Sequence, residues 1–227
     1  HCRSNGFGSQ ILDCEAERLN YIEAAQVIKD VNPRIACFVV YGQQPSASTQ
    51  NMHGAVGLAD ELKKIAPNLR TLFVGGHVAA LPRETLKEPS IDMICQNEGV
   101  YTISGLLSIN NLDDQSQISK VKGLGYKVDG TPVLNEPSII VAKKDLSRDL
   151  AGMAWDLLPD ISKYRTAGWH SWSNNTENAP FAALYTSLGC PFRCSFCMIN
   201  IINRTNPALD IASADSNVFR FWEPEFM

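Results

Sequence analysis

Short apolar runs alternate with amphipathic segments from residue 20 to about residue 110, and this alternation constrains the fold more than any other feature of the sequence. The runs at residues 35–41, 71–74 and 91–95 are largely apolar, as strands covered on both faces are. Apolar residues at helical spacing predict helices at residues 20–30, 52–65, 82–87 and 100–109. Strands that are each followed by a helix indicate a parallel sheet between helices. We therefore predict a doubly wound parallel sheet of the α/β class.

The chain after residue 120 has a different pattern. Asp129-Gly130 lies between two extended runs and predicts a hairpin, because both turn positions favour a positive φ. Residues 143–178 have charge clusters and a polar run but no sustained period, which is typical of a linker. An apolar run at residues 181–186 then predicts a new strand. The predicted organisation is a first domain at residues 1–142, a linker at residues 143–178 and a second domain at residues 179–227.

Composition and charge narrow the classes of partner. The formal net charge is −4 and the isoelectric point is about 5.6, without any block of basic residues. Such a composition argues against binding to nucleic acid or to an anionic membrane. The apolar runs are far shorter than the roughly 18 residues that span a bilayer, and no basic region followed by an apolar stretch opens the chain. We expect a cytoplasmic protein without a membrane span that acts on a small-molecule substrate.

The loops after the predicted strands are the expected ligand-binding positions, since doubly wound sheets bind ligands beyond the carboxyl ends of their strands. These loops read GQQPSAS, GGHVAALP and QNEG, and their small residues allow a ligand to approach the backbone. The candidate binding residues are Ser46, Ser48, Gly75, Gly76, His77, Glu98 and Gly99.

Each polar candidate also has a simpler interpretation. Ser46 and Ser48 could cap the helix that follows them. His77 could bond only to nearby backbone, and Glu98 could be a solvated carboxylate at a helix start.

Three of the seven cysteines form the array Cys190-x3-Cys194-x2-Cys197, directly after the predicted strand at residues 181–186. An odd number of cysteines in a chain long enough to fold without disulfides favours a metal. Three thiolates can hold three irons of a cubane cluster and leave the fourth iron open to a ligand. Cys37 and Cys95, in contrast, lie within apolar runs and are predicted to be buried thiols.

Two other interpretations of the array stay open. Spacings of four and three residues would place the cysteines on one face of a helix, although Gly189 and Pro191 disfavour a regular helix there. A structural zinc ion would need a fourth ligand from elsewhere, such as His170 or Cys95.

The array, with Phe196 before its last cysteine and an apolar run before its first, resembles the signature of the radical S-adenosylmethionine (SAM) enzymes. The resemblance implies that the run is the first strand of a partial (β/α) barrel and that the three cysteines hold a 4Fe–4S cluster. SAM would chelate the unique iron and be cleaved reductively to a 5′-deoxyadenosyl radical, with Phe196 against the adenine. The implied partner is an electron donor such as flavodoxin or ferredoxin.

The upstream region is similar to the cobalamin-binding domain that is fused to one large subgroup of these enzymes. The similarity rests on the doubly wound pattern, the loop Gly75-Gly76-His77 and the turn Asn97-Glu98-Gly99. It implies that this loop and this turn flank the corrin and its nucleotide tail. The Asp-x-His-x-x-Gly motif, whose His ligates cobalt in other cobalamin enzymes, is absent. Members of the subgroup commonly lack it as well, so the resemblance implies no His on the lower face of cobalt.

Together the two resemblances imply the amino-terminal part of a cobalamin-dependent radical SAM enzyme that transfers a methyl group to an unactivated carbon. The alternatives are a ring-forming or oxidative enzyme with the same cofactors, and a zinc-stabilised ligand-binding module without redox chemistry. Only 30 residues follow Cys197, whereas a partial barrel needs several further strand–helix units of roughly 30 residues each. We therefore expect a truncated barrel and no turnover by this chain alone.

Overall fold

Strands and helices alternate along the first half of the chain, as predicted. The computed structural model describes residues 1–41, 45–164, 180, 182–192, 194, 199, 201, 202 and 219–226. The strands within these residues are Ile35–Val40 (β1), Arg70–Gly75 (β2), Met93–Cys95 (β3), Leu124–Val128 (β4), Thr131–Leu134 (β5), Ser187–Leu188 (β6) and Arg220–Phe221 (β7). The α-helices are Tyr21–Val31 (α1), Pro45–Ile65 (α2), Gly76–Ala80 (α3), Pro82–Thr85 (α4), Val100–Ser108 (α5), Gln115–Ile118 (α6) and Leu146–Asp149 (α7).

Five strands form one sheet in the order β1-β2-β3-β4-β5. The first three strands run parallel, and β4 and β5 extend the sheet in antiparallel pairing. β4 and β5 are the predicted hairpin, in which Asp129 has a φ of 49° and Gly130 a φ of 77°. A two-residue turn of this hand requires both values to be positive. The α/β class is confirmed, and the sheet is mixed because the hairpin joins its parallel part.

Helices pack on both faces of the sheet. On one face α1 and α2 cover β1 and β2, where the rings of Phe38 and Phe73 stack with centroids 4.6 Å apart. On the other face α5 and α6 pack against β2, β3 and β4, and Leu106 and Leu124 are fully buried there. This burial from both sides explains why the sequence of β2 has no alternating polar residues.

β1 differs because only one of its faces is covered. Phe38 and Val40 are buried, whereas Cys37 is exposed and Val39 is 66% exposed. The prediction that Cys37 is a buried thiol is therefore wrong, since its side chain lies on the face of β1 that the described helices leave open. Cys95 in β3 is fully buried, as predicted.

Local side-chain hydrogen bonds determine where α1 begins. Asn20 Oδ1 accepts from the backbone N–H groups of Ile22 and Glu23, and Glu23 Oε2 accepts from the backbone N–H of Asn20. This reciprocal pair satisfies N–H groups that the first turn of a helix leaves without partners. α2 begins at Pro45, earlier than the predicted start at residue 52, because its first turns are polar and resemble a loop in sequence.

The described part of the chain after residue 142 contains only short elements. Besides α7 it has single-turn 3₁₀ helices at Lys143–Asp145, Trp155–Leu157, Ile161–Lys163 and Pro224–Phe226. The strand predicted at residues 181–186 is displaced, since residues 182–186 are irregular and β6 begins at Ser187. β6 pairs antiparallel with β7, with Leu188 opposite Arg220. Residues 165–178 of the predicted linker lie outside the described residues, and the predicted domain boundaries stay predictions.

Candidate functional site

The carboxyl ends of the parallel strands β1, β2 and β3 lie side by side at one end of the sheet. We call this end the strand-end edge. β1 and β2 pair in register to their last residues, with Val40 opposite Gly75. α3 follows β2 directly, and α5 begins after the loop that follows β3. The predicted binding residues that the structure describes at this edge are Ser48, Gly75, Gly76, His77, Glu98 and Gly99. The side chain of Ser46 lies outside the described part of the chain.

Gly75 allows a close approach between two backbones at the strand-end edge. Its φ is 155°, and an added Cβ would lie 2.7 Å from the carbonyl carbon of Val40 and closer still to the carbonyl oxygen. Only glycine avoids this collision. The first glycine of the Gly-Gly loop therefore brings the end of β2 tightly against the end of β1.

Ser48 is buried and connects three elements. Its Oγ donates to Val40 O at 2.5 Å and accepts the backbone N–H of His77 at 3.0 Å. These bonds link the end of β1, the early turns of α2 and the start of α3. The hydroxyl thus has a structural role within the protein, and contact between Ser48 and a cofactor stays a prediction.

His77 is half-buried beside α2. Its Nδ1 lies 3.1 Å from Thr49 Oγ1, so the side chain contacts another side chain and not only nearby backbone. Loss of solvent lowers the pKa of His77 below the usual value of an imidazole. The ring is therefore neutral near pH 7 and can act as a donor or an acceptor towards an uncharged polar group.

The loop after β3 is held by buried polar groups. Asn97 Nδ2 donates to Ser138 O at 2.8 Å, and Asn97 Oδ1 accepts the N–H of Gly99 at 3.1 Å. Gly99 has a φ of 83°, and an added Cβ would lie 3.0 Å from Val74 and 3.1 Å from Cys95 Sγ. The loop therefore has little freedom to move, and glycine is required at its last position.

Glu98 is not the solvated carboxylate that one interpretation of the sequence suggested. Its side chain is 9% exposed, Oε1 accepts the N–H of Val141 at 2.5 Å, and Oε2 accepts from Arg220 Nη2 at 2.7 Å. Arg220 was missed by the sequence analysis. The available signal was a single cation within the aromatic run Phe219–Trp222, where a charge needs a buried partner.

The cysteine array is described only in part. Gly189, with a φ of 79°, ends β6, and the half-buried Cys190 and the exposed Cys194 follow it without a disulfide bond. Cys197 and Phe196 lie outside the described residues, as does His170 of the zinc interpretation. Cys95, the other proposed zinc ligand, is fully buried in β3, and burial raises the pKa of its thiol well above the usual value. This buried environment disfavours the thiolate form of Cys95, which is the form that binds zinc.

A cavity of about 650 Å³ lies at the opposite end of the strands, near the amino ends of β2 and β3. It is lined by Lys63, Ser90 and Asp92, which precede β2 or β3, and by Tyr21 of α1. In parallel α/β sheets this amino-end position is not where ligands bind. The candidate site is therefore the strand-end edge, which the sequence predicted. Among the helices that the structure describes, none combines the length and the apolar character of a membrane-spanning segment.

Sequence comparisons with known proteins give one matching family model and several relatives. Residues 1–107 match the family model described as the B12 binding domain. The chain is 30% identical to an uncharacterized methyltransferase of Pyrococcus horikoshii, over 83% of this chain and 36% of the relative. It is 26% identical to an anaerobic magnesium-protoporphyrin IX monomethyl ester cyclase of Synechocystis, over 60% of this chain and 24% of that protein.

A third relative is a cytidylyl-2-hydroxyethylphosphonate methyltransferase of Streptomyces wedmorensis, 22% identical over 84% of this chain and 38% of the relative. The chain thus spans well under half the length of these three proteins. Residues 1–107 thus match a B12-binding domain, in a chain that is similar over most of its length to proteins named as methyltransferases and a cyclase.

Proposed function

We propose that this chain is the amino-terminal part of a cobalamin-dependent radical SAM enzyme that methylates an unactivated carbon of a small molecule. The observation that carries the proposal is the occurrence in one chain of the B12-binding domain match and the cysteine array at residues 190–197. The relatives named as methyltransferases support the methyl-transfer outcome. A cytoplasmic location and an electron donor such as flavodoxin or ferredoxin belong to the same proposal.

The residues at the strand-end edge fit a corrin. Gly75, Gly76 and Gly99 are buried and add no side chains to this edge, and the half-buried His77 adds a neutral polar group. The array fits an iron–sulfur cluster by its donor set, since thiolates are the ligands that such clusters use. When bound, the corrin would supply the methyl group, and the cluster with SAM would supply the radical. Cys190, Cys194 and Cys197 would hold the cluster, with Phe196 at the adenine.

Anaerobic reconstitution of the chain with iron and sulfide, followed by titration with hydroxocobalamin, tests both cofactors. We expect visible absorbance of an iron–sulfur cluster and saturable binding of the corrin. Cys190→Ser should lose the cluster absorbance and keep corrin binding. Cys14→Ser, which changes a half-buried cysteine outside the array, should keep both. A colourless chain that holds one zinc ion with four protein donors would support the zinc-stabilised module instead.

The full-length protein tests the reaction. It should form 5′-deoxyadenosine from SAM and bind a corrin, and the absence of both would contradict the proposal.

A ring-forming or oxidative reaction with the same cofactors is the second candidate, because the Synechocystis relative is named as an anaerobic cyclase. Labelled methyl groups distinguish the two reactions. Transfer of the label from SAM to the product supports methylation, whereas a product that gains no label supports the cyclase-like reaction.

A further inference from the structure

A buried ion pair joins the loop after β3 to the last described segment of the chain. Arg220, whose side chain is 3% exposed, donates from Nη2 to Glu98 Oε2 at 2.7 Å and from Nη1 to Val141 O at 2.5 Å. Glu98 Oε1 accepts the backbone N–H of Val141 at 2.5 Å. Glu98, Arg220 and the backbone of Val141 therefore form a closed ring of hydrogen bonds that is shielded from water.

The backbone of Arg220 belongs to β7, which brings the ion pair close to the cysteine array. Leu188 in β6 lies opposite Arg220, and only Gly189 separates Leu188 from Cys190. Trp222, directly after β7, donates from Nε1 to Leu150 O at 3.1 Å. A continuous series of bonds thus runs from the loop after β3, through Arg220, to the strand that leads into the array.

The physical character of this ion pair favours a role in geometry over one in stability. A buried ion pair contributes little net stability compared with apolar side chains, but loss of one partner leaves an uncompensated charge. Guanidinium and carboxylate groups also bond well in few relative orientations, so the pair selects one arrangement of the two segments. Where two bound groups must react in turn, a displacement of about 1 Å can cost roughly a hundredfold in rate.

We propose that Glu98 and Arg220 are positioning residues whose ion pair holds β6, and with it Cys190 at the start of the cysteine array, at a fixed place relative to the strand-end edge. The proposal rests on the proposed function, because it concerns the placement of the cluster relative to the corrin. Glu98 acts through Arg220 and not as a direct corrin contact, since its side chain is only 9% exposed and both carboxylate oxygens are bonded within the protein.

Hydrogen–deuterium exchange of the chain, with no cofactor bound, is the first test. Arg220→Met should speed exchange in β6 and β7 by roughly tenfold or more, because β7 loses its anchor. Exchange in β1 and β2, which belong to the separate five-stranded sheet, should not change. Arg220→Lys keeps the charge and should restore part of the protection. The control Arg3→Met breaks an exposed ion pair with Asp156 and should leave exchange in β6 and β7 unaltered.

Two further measurements separate positioning from a purely structural role. Titration of the Arg220→Met variant with hydroxocobalamin should give a corrin affinity close to that of the wild-type chain. In chains loaded with both groups, the magnetic coupling between cob(II)alamin and the reduced cluster should show a broader range of distances in Arg220→Met, and Arg220→Lys should narrow it.

Unchanged exchange in β6 and β7 overturns the proposal. A loss of corrin affinity that parallels the loss of strand protection also overturns it, because Glu98 would then act in the corrin site itself. If the wild-type chain binds no corrin, the proposed function is contradicted. The hydrogen–deuterium exchange result then decides by itself whether the ion pair holds β6 and β7 in place.

Discussion

Replacement of Gly75 by alanine tests whether the strand-end edge depends on a backbone contact that only glycine permits. An added Cβ would lie 2.7 Å from the carbonyl carbon of Val40 and 3.3 Å from Ser48 Oγ, at a φ of 155°. The colliding group is the backbone of β1, which cannot turn aside as a flexible side chain does. The unfavourable φ costs about 1–3 kcal/mol, and the overpacking costs about 1–3 kcal/mol more. We therefore expect Gly75→Ala to lower the free energy of unfolding by about 4 kcal/mol.

Urea unfolding followed by circular dichroism measures this loss. Gly130→Ala is the matched control, because Gly130 has a φ of 77° but nothing lies within 4 Å of its added Cβ. The Gly130→Ala variant therefore measures only the cost of a positive φ for a residue with a Cβ, which is about 1–2 kcal/mol. Gly8→Ala, at a position that is also open, should change the free energy by less than about 0.5 kcal/mol. If Gly75→Ala costs no more than Gly130→Ala, the contact with Val40 does not determine the packing of this edge.

Three more predictions concern Ser48, Lys63 and His77, which lie within the match to the B12 binding domain at residues 1–107. Ser48→Ala leaves Val40 O and the N–H of His77 without their partner, so we expect a loss of about 2 kcal/mol in urea unfolding, and an unchanged midpoint would contradict the bridging role. Lys63→Met removes the ammonium that lies 2.7 Å from Asp92 Oδ2 in a mostly buried pair, and it should cost about 2 kcal/mol by the same assay. Because desolvation lowers the pKa of His77, folding disfavours its protonated form, so stability should fall as the pH drops below about 6.5. His77→Gln should lose that pH dependence, and an NMR titration midpoint above about 6.5 for this imidazole would refute the sign.

Local signals in the sequence were sufficient to predict the main elements of the first domain. The apolar runs of β1 and β2 and the Asp129-Gly130 turn each depend on residues that are neighbours in sequence, and all three are present. The start of α2 was misplaced because residues 45–51 contain no large apolar side chain that would mark a helix face, and tertiary packing against β1 and α3 favours the helix. The exposure of Cys37 depends on which helices cover β1, and no local pattern contains that information.

The sequence also predicted part of the candidate site, but not all of its contacts. Gly75, Gly99 and His77 were predicted because loops after parallel strands are expected to bind ligands, and the structure places all three at the carboxyl ends of the strands. The partner of Glu98 was not found, since Arg220 lies 122 residues further along the chain and nothing near Glu98 in sequence indicates it. Long-range pairs of this kind are set by the packing of whole segments, which periodicity does not report.

The direction of the hairpin has a practical consequence. β4 starts beside Cys95 and runs back along β3, so the Asp129-Gly130 turn emerges at the end of the sheet that is remote from the predicted corrin. Nothing lies within 4 Å of a Cβ added at Gly130. An affinity peptide or a fluorescent reporter inserted in this turn would therefore project away from the strand-end edge, which makes the turn a suitable attachment point for purification and for optical binding assays.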